Sequence, residues 1–259
     1  MKKISYLFLL LFLTPAFAQK PQLIGKTELI ADSFWGYDAL GAFYSVTNNV
    51  LTKQMGEQKW QYKNPQLGKI AKIDLQNPLK IVLFYQNFNT VIIVDNQLNE
   101  LSNINLNDSE NPIVPLAIGL AAGNRLWIYN NLTLKIGLYD YAKRELKNLT
   151  VPFPNNVRHY VSDFNFIYWV DELGNNYRCD VYGKTTLLGF IEASEQISWM
   201  SDSVLVYKKG GSLYEYSLKD QKTTLLEIEE KTFKNFTIKD QILSIFTDHG
   251  ITNYKIAVP

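Results

Sequence analysis

Acid–base or metal chemistry that depends on histidine would have to use one of only two such residues in this chain. His159 stands in the segment NNVRHYVSD, and His249 stands in Asp248-His249-Gly250, a combination typical of a hairpin turn. The sequence has no HxxxH, HxxE or CxxC spacing and no DxDxDG loop, which are spacings that zinc and calcium sites use. It has no GxGxxG phosphate-binding loop either. The motifs therefore predict no catalytic residue, no cofactor and no metal site.

The single cysteine, Cys179, cannot form a disulfide within the chain. It stands in NNYRCDVYG, where strand alternation places it on the same face as Tyr177 and Val181 and opposite Arg178 and Asp180. We predict a buried thiol, with an intermolecular disulfide or a nucleophile as the alternatives.

Aromatic residues recur at a regular spacing along the whole chain. Six segments share an apolar-aromatic pair, a short polar turn and a second alternating run, with their aromatic positions at Tyr44, Tyr85, Tyr129, Tyr168, Tyr207 and Phe246. The spacings are 41, 44, 39, 39 and 39 residues. About 40 residues is the length of four short strands with their turns, which is one blade of a β-propeller. The sequence predicts an all-β, six-bladed β-propeller that forms a single domain over residues 19–259.

The sixth repeat has three recognisable strands instead of four. We expect an N-terminal strand at about residues 22–30 to complete this blade, because closing the ring would cover the exposed sheet edges. Burial of Leu23, Leu29 or Ile30 would then help to hold the strand. A pair of β-sandwiches or a β-barrel are the alternatives, but neither explains a period near 40 residues.

The innermost strands of a propeller line a central channel, and their ends form its mouths. Some propeller hydrolases hold calcium there with one polar group from each of several blades, and the corresponding positions in this chain are Asp38, Asp74, His159, Glu195 and Asn235. Ordinary strand ends also carry such residues, so a channel calcium site is kept as an alternative.

Tryptophans are the other candidate binding residues, because their rings anchor proteins and sugars at interfaces. We expect one or two of Trp35, Trp60, Trp169 and Trp199 to lie on an accessible rim. Trp169 follows Tyr168 and should point to the opposite face of its strand. The residues assigned to binding at a channel mouth or the rim are His159, Trp35 and Trp169.

The first eighteen residues have the pattern of a cleavable secretory signal peptide. Lys2 and Lys3 precede an apolar run from Tyr6 to Leu13, and Ala16-Phe17-Ala18 fits cleavage before Gln19. A membrane anchor is the alternative, but the run is far shorter than the roughly 20 residues that span a bilayer. No cysteine follows the cleavage position, so a lipid anchor is not expected. The sequence predicts an exported, periplasmic protein without direct membrane insertion.

The charges of the chain are balanced and scattered. There are 26 Lys and Arg residues against 25 Asp and Glu residues. Nucleic-acid binding needs a basic stripe along the surface, which this pattern does not provide. The chain is therefore not expected to bind nucleic acid.

The lack of a catalytic set favours a protein-interaction platform over an enzyme. With its FIYWVD and LVYKKGG repeats and a signal that ends at Ala18-Gln19, the chain resembles accessory proteins of bacterial outer-membrane machines, such as the plug subunit of the type IX secretion translocon. This resemblance implies a protein partner in the cell envelope, namely an outer-membrane protein, and a location peripheral to the outer membrane. A carbohydrate-binding module and a calcium-dependent, lactonase-like hydrolase are the alternatives.

Overall fold

The computed structural model describes residues 20–109 and 111–256, so the predicted signal peptide lies outside the described residues. Within these residues, the chain forms six antiparallel sheets of four strands each. This is a six-bladed β-propeller, and the predicted fold is confirmed. No helix in the described ranges is long and apolar enough to cross a membrane.

Each blade is built from four strands in sequence, except the last. The N-terminal strand is β1 (Gln22–Glu28), and the first two blades contain β2 (Ser33–Tyr37), β3 (Phe43–Thr47), β4 (Val50–Met55), β5 (Gln58–Tyr62), β6 (Lys72–Asp74), β7 (Ile81–Tyr85), β8 (Thr90–Val94) and β9 (Glu100–Asn105). The third and fourth blades contain β10 (Pro115–Ala121), β11 (Arg125–Asn130), β12 (Lys135–Asp140), β13 (Glu145–Asn148), β14 (Val157–Ser162), β15 (Phe166–Asp171), β16 (Asn175–Asp180) and β17 (Thr185–Phe190). The last two contain β18 (Gln196–Trp199), β19 (Val204–Lys209), β20 (Ser212–Ser217), β21 (Lys222–Leu226), β22 (Asn235–Lys239), β23 (Ile242–Phe246) and β24 (Gly250–Lys255).

The repeated aromatic residues explain why the period is so clear in the sequence. All six lie on the second strand of a blade and are at most 7% exposed: Tyr44, Tyr85, Tyr129, Tyr168, Tyr207 and Phe246. A second strand has strands on both sides and neighbouring blades above and below it, so large apolar side chains fill it on both faces. The same packing position recurs once in each blade.

The ring is closed as the sequence predicts. β1 pairs antiparallel with β24 and is the outermost strand of the sixth blade, in the sheet order β1-β24-β23-β22. Leu29 is partly buried against the cluster that contains Phe34 and Phe246. Burial of Leu23 and Ile30 is not observed, because they are 43% and 91% exposed. An outermost strand has a neighbour on only one side, so backbone pairing holds β1 more than side-chain burial does.

The inner strands β2, β6, β10, β14, β18 and β22 surround the channel and run in the same direction. Near their beginnings, Asn235 Nδ2 donates a hydrogen bond to the Phe34 carbonyl at 2.7 Å. Near their far ends, Leu120 N donates to Asp74 Oδ2 at 2.7 Å. The disc therefore has two different faces. We name the face where the inner strands begin the start face and the opposite one the end face.

Candidate functional site

An arc of exposed apolar side chains crosses the start face over the second, third and fourth blades. Its members come from the turns between second and third strands and from the connections to the next blade. Each is at least 37% exposed: Phe88, Val114, Leu132, Val151, Leu173 and Phe190. We name these six residues the apolar arc.

Hydrogen bonds between successive loops hold the arc together across blade boundaries. In the order of the arc, the bonds are Asn89 Nδ2 to Ile113 O (2.6 Å), Asn131 N to Val114 O (2.9 Å), Phe153 N to Leu134 O (2.9 Å), Glu172 N to Asn156 O (2.9 Å) and Ile191 N to Gly174 O (2.8 Å). Four of these five use backbone donors, and all five use backbone acceptors. The loops are therefore positioned independently of the side chains that they expose.

Gly174 allows the Leu173 turn to approach the strand end at Phe190. Its φ is +91°, in the region that favours glycine. A Cβ atom at this position would overlap the Ile191 carbonyl oxygen and would lie 2.8 Å from Phe190 Cε2. Leu173 and Phe190 are neighbours on the surface because this position has no side chain.

Four loop segments of the arc carry little charge: residues 86–89, 131–134, 149–156 and 172–174 contain one charged residue, Glu172, and are rich in asparagine and proline. The two connections next to Val114 and Phe190 are acidic, with Asp108 and Glu110 in the first and Glu192 and Glu195 in the second. On the end face, by contrast, every turn between a third and a fourth strand in the first five blades contains a charged residue. Apolar side chains with amide groups and a few acidic residues around them have the composition of an interface centre with its polar rim.

His159 lies on β14, in a cleft of about 170 Å³ between the fourth and fifth blades. Its Nε2 donates a hydrogen bond to the Ser194 carbonyl at 3.3 Å. Burial lowers the pKa of this imidazole. These observations describe a neutral histidine that connects two blades. The proposed role of His159 in binding stays a prediction.

Trp35 lies at the channel mouth on the end face, where it is partly buried and its Nε1 donates to Ser33 Oγ at 3.1 Å. Trp169 does not lie on the rim. It is 1% exposed and stacks on Tyr177 at 5.1 Å between ring centroids, with Phe153 edge-on at 4.9 Å. The expected exposure of Trp169 is wrong because β15 is a second strand, and both of its faces are covered. The structure thus brings none of His159, Trp35 and Trp169 together.

The five polar residues considered for a channel calcium are dispersed. Asp38 is buried, accepts a hydrogen bond from Tyr44 Oη at 2.8 Å and lies 3.6 Å from the Lys53 ammonium. Glu195 pairs with Lys208 at 3.2 Å. Within residues 20–109 and 111–256, no group of three His, Cys, Asp or Glu side chains is close enough together to hold a metal ion.

Cys179 is fully buried, as predicted, and packs in the same cluster as Tyr177 and Val181. Its Sγ donates a weak hydrogen bond to the Asp180 carbonyl at 3.4 Å. Burial raises the pKa of the thiol to about 11. A thiol in this environment stays protonated near neutral pH and is a poor nucleophile.

No family model matches the chain, and no curated protein sequence matches it. Solved structures do match. Virginiamycin B lyase from Staphylococcus aureus aligns with a TM-score of 0.58 and 13% identity, over 86% of this chain and 79% of the lyase. The extracellular domain of a putative one-component system from B. thetaiotaomicron aligns with a TM-score of 0.55 and 12% identity, over 91% of this chain and 40% of that one.

These similarities show a shared fold. They show no more than that, because the identities are too low to transfer an activity or a ligand. PorZ, a surface component of the type IX secretion system of Porphyromonas gingivalis, is also a structural neighbour, with a TM-score of 0.47 and 13% identity over 93% of this chain and 39% of PorZ.

Proposed function

We propose that this protein is a non-catalytic interaction platform of the cell envelope that docks a protein partner through the apolar arc. The observation that carries the proposal is the arc itself, which exposes six apolar side chains on one face over three successive blades. A group of large apolar side chains exposed on one face of a folded domain is a candidate interaction site. Full burial of such a side chain contributes roughly 1.5–3 kcal/mol, and covering its exposed part contributes a share of this, so several of them together would anchor a partner.

The composition of the arc favours an apolar protein surface as the partner. The loops offer asparagine amides and backbone groups rather than Lys or Arg, so they do not suit phosphate groups or an anionic membrane. The partner should present apolar side chains that face the arc and hydrogen-bonding groups that face its asparagines. The loops are held by backbone hydrogen bonds, so docking would require little ordering of this chain.

The geometry of the reactive residues supports a non-catalytic role. His159 donates to a backbone carbonyl and Cys179 is buried with a raised pKa. Neither arrangement pairs a nucleophile with a general base, which acyl-transfer chemistry needs.

The location proposed for the complex follows from the predicted signal peptide over residues 1–18 and from the resemblance to the type IX plug subunit. Export would place the propeller in the periplasm, peripheral to the outer membrane. The partner would then be an outer-membrane protein.

Affinity purification of the tagged protein from envelope extracts, followed by mass spectrometry, tests this function. Leu173→Glu should reduce recovery of a stoichiometric partner at least about tenfold, because it places a charge within the apolar surface of the arc. Leu79→Glu is the matched control, since Leu79 is 59% exposed on the end face and Leu173 is 61% exposed on the start face. If the wild-type protein is recovered alone, or if both variants retain the partner, the proposal is wrong.

A further inference from the structure

The channel mouth on the end face contains a second group of residues, separate from the apolar arc. It is a cavity of about 180 Å³ formed by the last residues of four of the six inner strands. The polar and aromatic groups that matter for binding are Trp35, Lys72, Asp74, Ser162, Thr237 and Lys239. These residues come from four different blades and meet only at the axis of the ring.

The cavity holds two lysines and one carboxylate. Lys72 and Lys239 both line it and are partly buried. Among the described residues, neither ammonium group lies within 4 Å of a carboxylate oxygen, although six other lysines form such pairs. The channel mouth therefore holds two ammonium groups against one carboxylate, and neither ammonium forms a direct ion pair.

Asp74 offsets part of this charge, since it interacts electrostatically with both lysines, but its oxygens are hydrogen-bonded to backbone groups. Oδ2 accepts a hydrogen bond from Leu120 N at 2.7 Å, and Oδ1 accepts one from Gln76 N at 2.8 Å. These bonds connect the second blade to the third. Burial also raises the pKa of Asp74, which means that its negative charge is disfavoured at this position.

Lys72 is held in place beside the cavity. Its Nζ lies 5.0 Å from the centroid of the Tyr160 ring, a cation–π distance. Burial lowers the pKa of Lys72, so its positive charge is costly without an anion nearby. A bound anion would relieve this cost.

The cavity also depends on a missing side chain. A Cβ atom at Gly119 would overlap Ser162 Oγ and would lie 3.0 Å from Asp74 Oδ2. The glycine therefore leaves room for the Ser162 hydroxyl at the channel wall. The hydroxyl groups of Ser162 and Thr237 are hydrogen-bond donors beside the two ammonium groups.

We propose that this channel mouth binds a small anion with a carboxylate or phosphate group, held by Lys72 and Lys239, with Ser162 and Thr237 as hydrogen-bond donors and Trp35 as an apolar wall. The size follows from the volume, because 180 Å³ corresponds to about six water molecules at roughly 30 Å³ each. The ligand is therefore a small organic acid or a small phosphate compound rather than a glycan or a folded protein segment. This inference does not depend on the apolar arc, which lies on the opposite face.

Isothermal titration calorimetry on the mature propeller tests the proposal, with inorganic phosphate and malonate as separate ligands at constant ionic strength. We expect saturable binding of at least one of them. Lys239→Gln and Lys72→Gln should each weaken it at least about tenfold, and Lys59→Gln, an exposed lysine on β5, should change it less than about twofold. Binding of phosphate alone assigns a phosphate ligand, and binding of malonate alone assigns a carboxylate.

Thermal melting of each variant checks that it is folded, and Lys239→Gln serves alone if Lys72→Gln does not fold. Absence of binding by both anions would overturn the proposal. Equal binding by the Lys239 and Lys59 variants would overturn it as well, because the anion would then be held by general surface charge.

Discussion

Replacement of Gly250 by alanine should weaken the strand pair that closes the ring. Gly250 is the first residue of β24 and lies opposite Glu28 of β1. A Cβ atom at Gly250 would overlap the Thr27 carbonyl oxygen and would lie 2.9 Å from Leu29 N. These are backbone atoms of the closing strand, so they cannot move away as a flexible side chain could.

The expected loss of stability has two parts. The φ of Gly250 is +142°, a conformation that costs a residue with a side chain roughly 1–3 kcal/mol. Displacement of the end of β1 would also break one or two backbone hydrogen bonds, at about 1 kcal/mol net each. A central value is about 3 kcal/mol, which corresponds to about 6–12 °C in Tm for a domain of this size.

Differential scanning calorimetry of the mature protein measures this effect, and Gly25→Ala is the matched control. Gly25 lies on β1 in the same strand pair, but a Cβ atom there would have no neighbour within 4 Å. Its variant should melt at or slightly above the wild-type temperature, because alanine costs less conformational entropy than glycine within a strand.

Gly250→Ala and Gly25→Ala should differ in melting temperature if β1 must approach β24 closely at Gly250. A Gly250→Ala protein that melts within about 2 °C of the wild type would show that β1 does not depend on close approach at this point. Equal destabilisation by both variants would show that any alanine in this pair disturbs it, and the steric reasoning would fail.

Two further perturbations test the interior. Asp38→Ala should lower the free energy of unfolding by about 3–5 kcal/mol, because it leaves the Lys53 ammonium buried without its carboxylate. Urea denaturation measures this loss, and a loss below about 1 kcal/mol would contradict the prediction. His159→Gln should reduce the loss of stability in mild acid. Burial lowers the pKa of His159, so below about pH 6.5 the unfolded chain takes up a proton before the folded one does, and the free energy of unfolding falls. Urea midpoints at about pH 7.5 and 5.5 check this, and equal shifts in wild type and variant would refute it.

The blade count could be derived from the sequence because the packing repeats locally. Tyr44 and Phe246 are far apart in the chain but occupy the same position in their blades, so each blade contributes the same signal. The burial of Cys179 follows in the same way, since alternation within one strand decides which side it faces.

Alternation was insufficient for Trp169. It correctly separates Trp169 from Tyr168, but it does not reveal that a second strand is covered on both faces by other blades. Leu23 and Ile30 show the opposite error. They are apolar, and their burial was expected, but they are exposed because they belong to the outermost strand and its following loop. Exposure of these residues depends on the place of each strand within its blade.

Both candidate sites are formed by residues from different blades, which only the closed ring of the propeller brings together. A sequence signal for part of the apolar arc does exist, namely uncharged turns and loops such as LTVPFPNN at residues 149–156. No such signal marks the channel mouth, where Trp35, Lys72 and Lys239 come from strands separated by up to about two hundred residues.

The sequence by itself determined the number of blades, the strand that closes them and the side on which Cys179 is buried, because these follow from local periodicity. Only the tertiary structure decided which loops share a face and which strand ends share a cavity. The physical reason is that these neighbours belong to different blades, and closure of the ring alone brings them into contact.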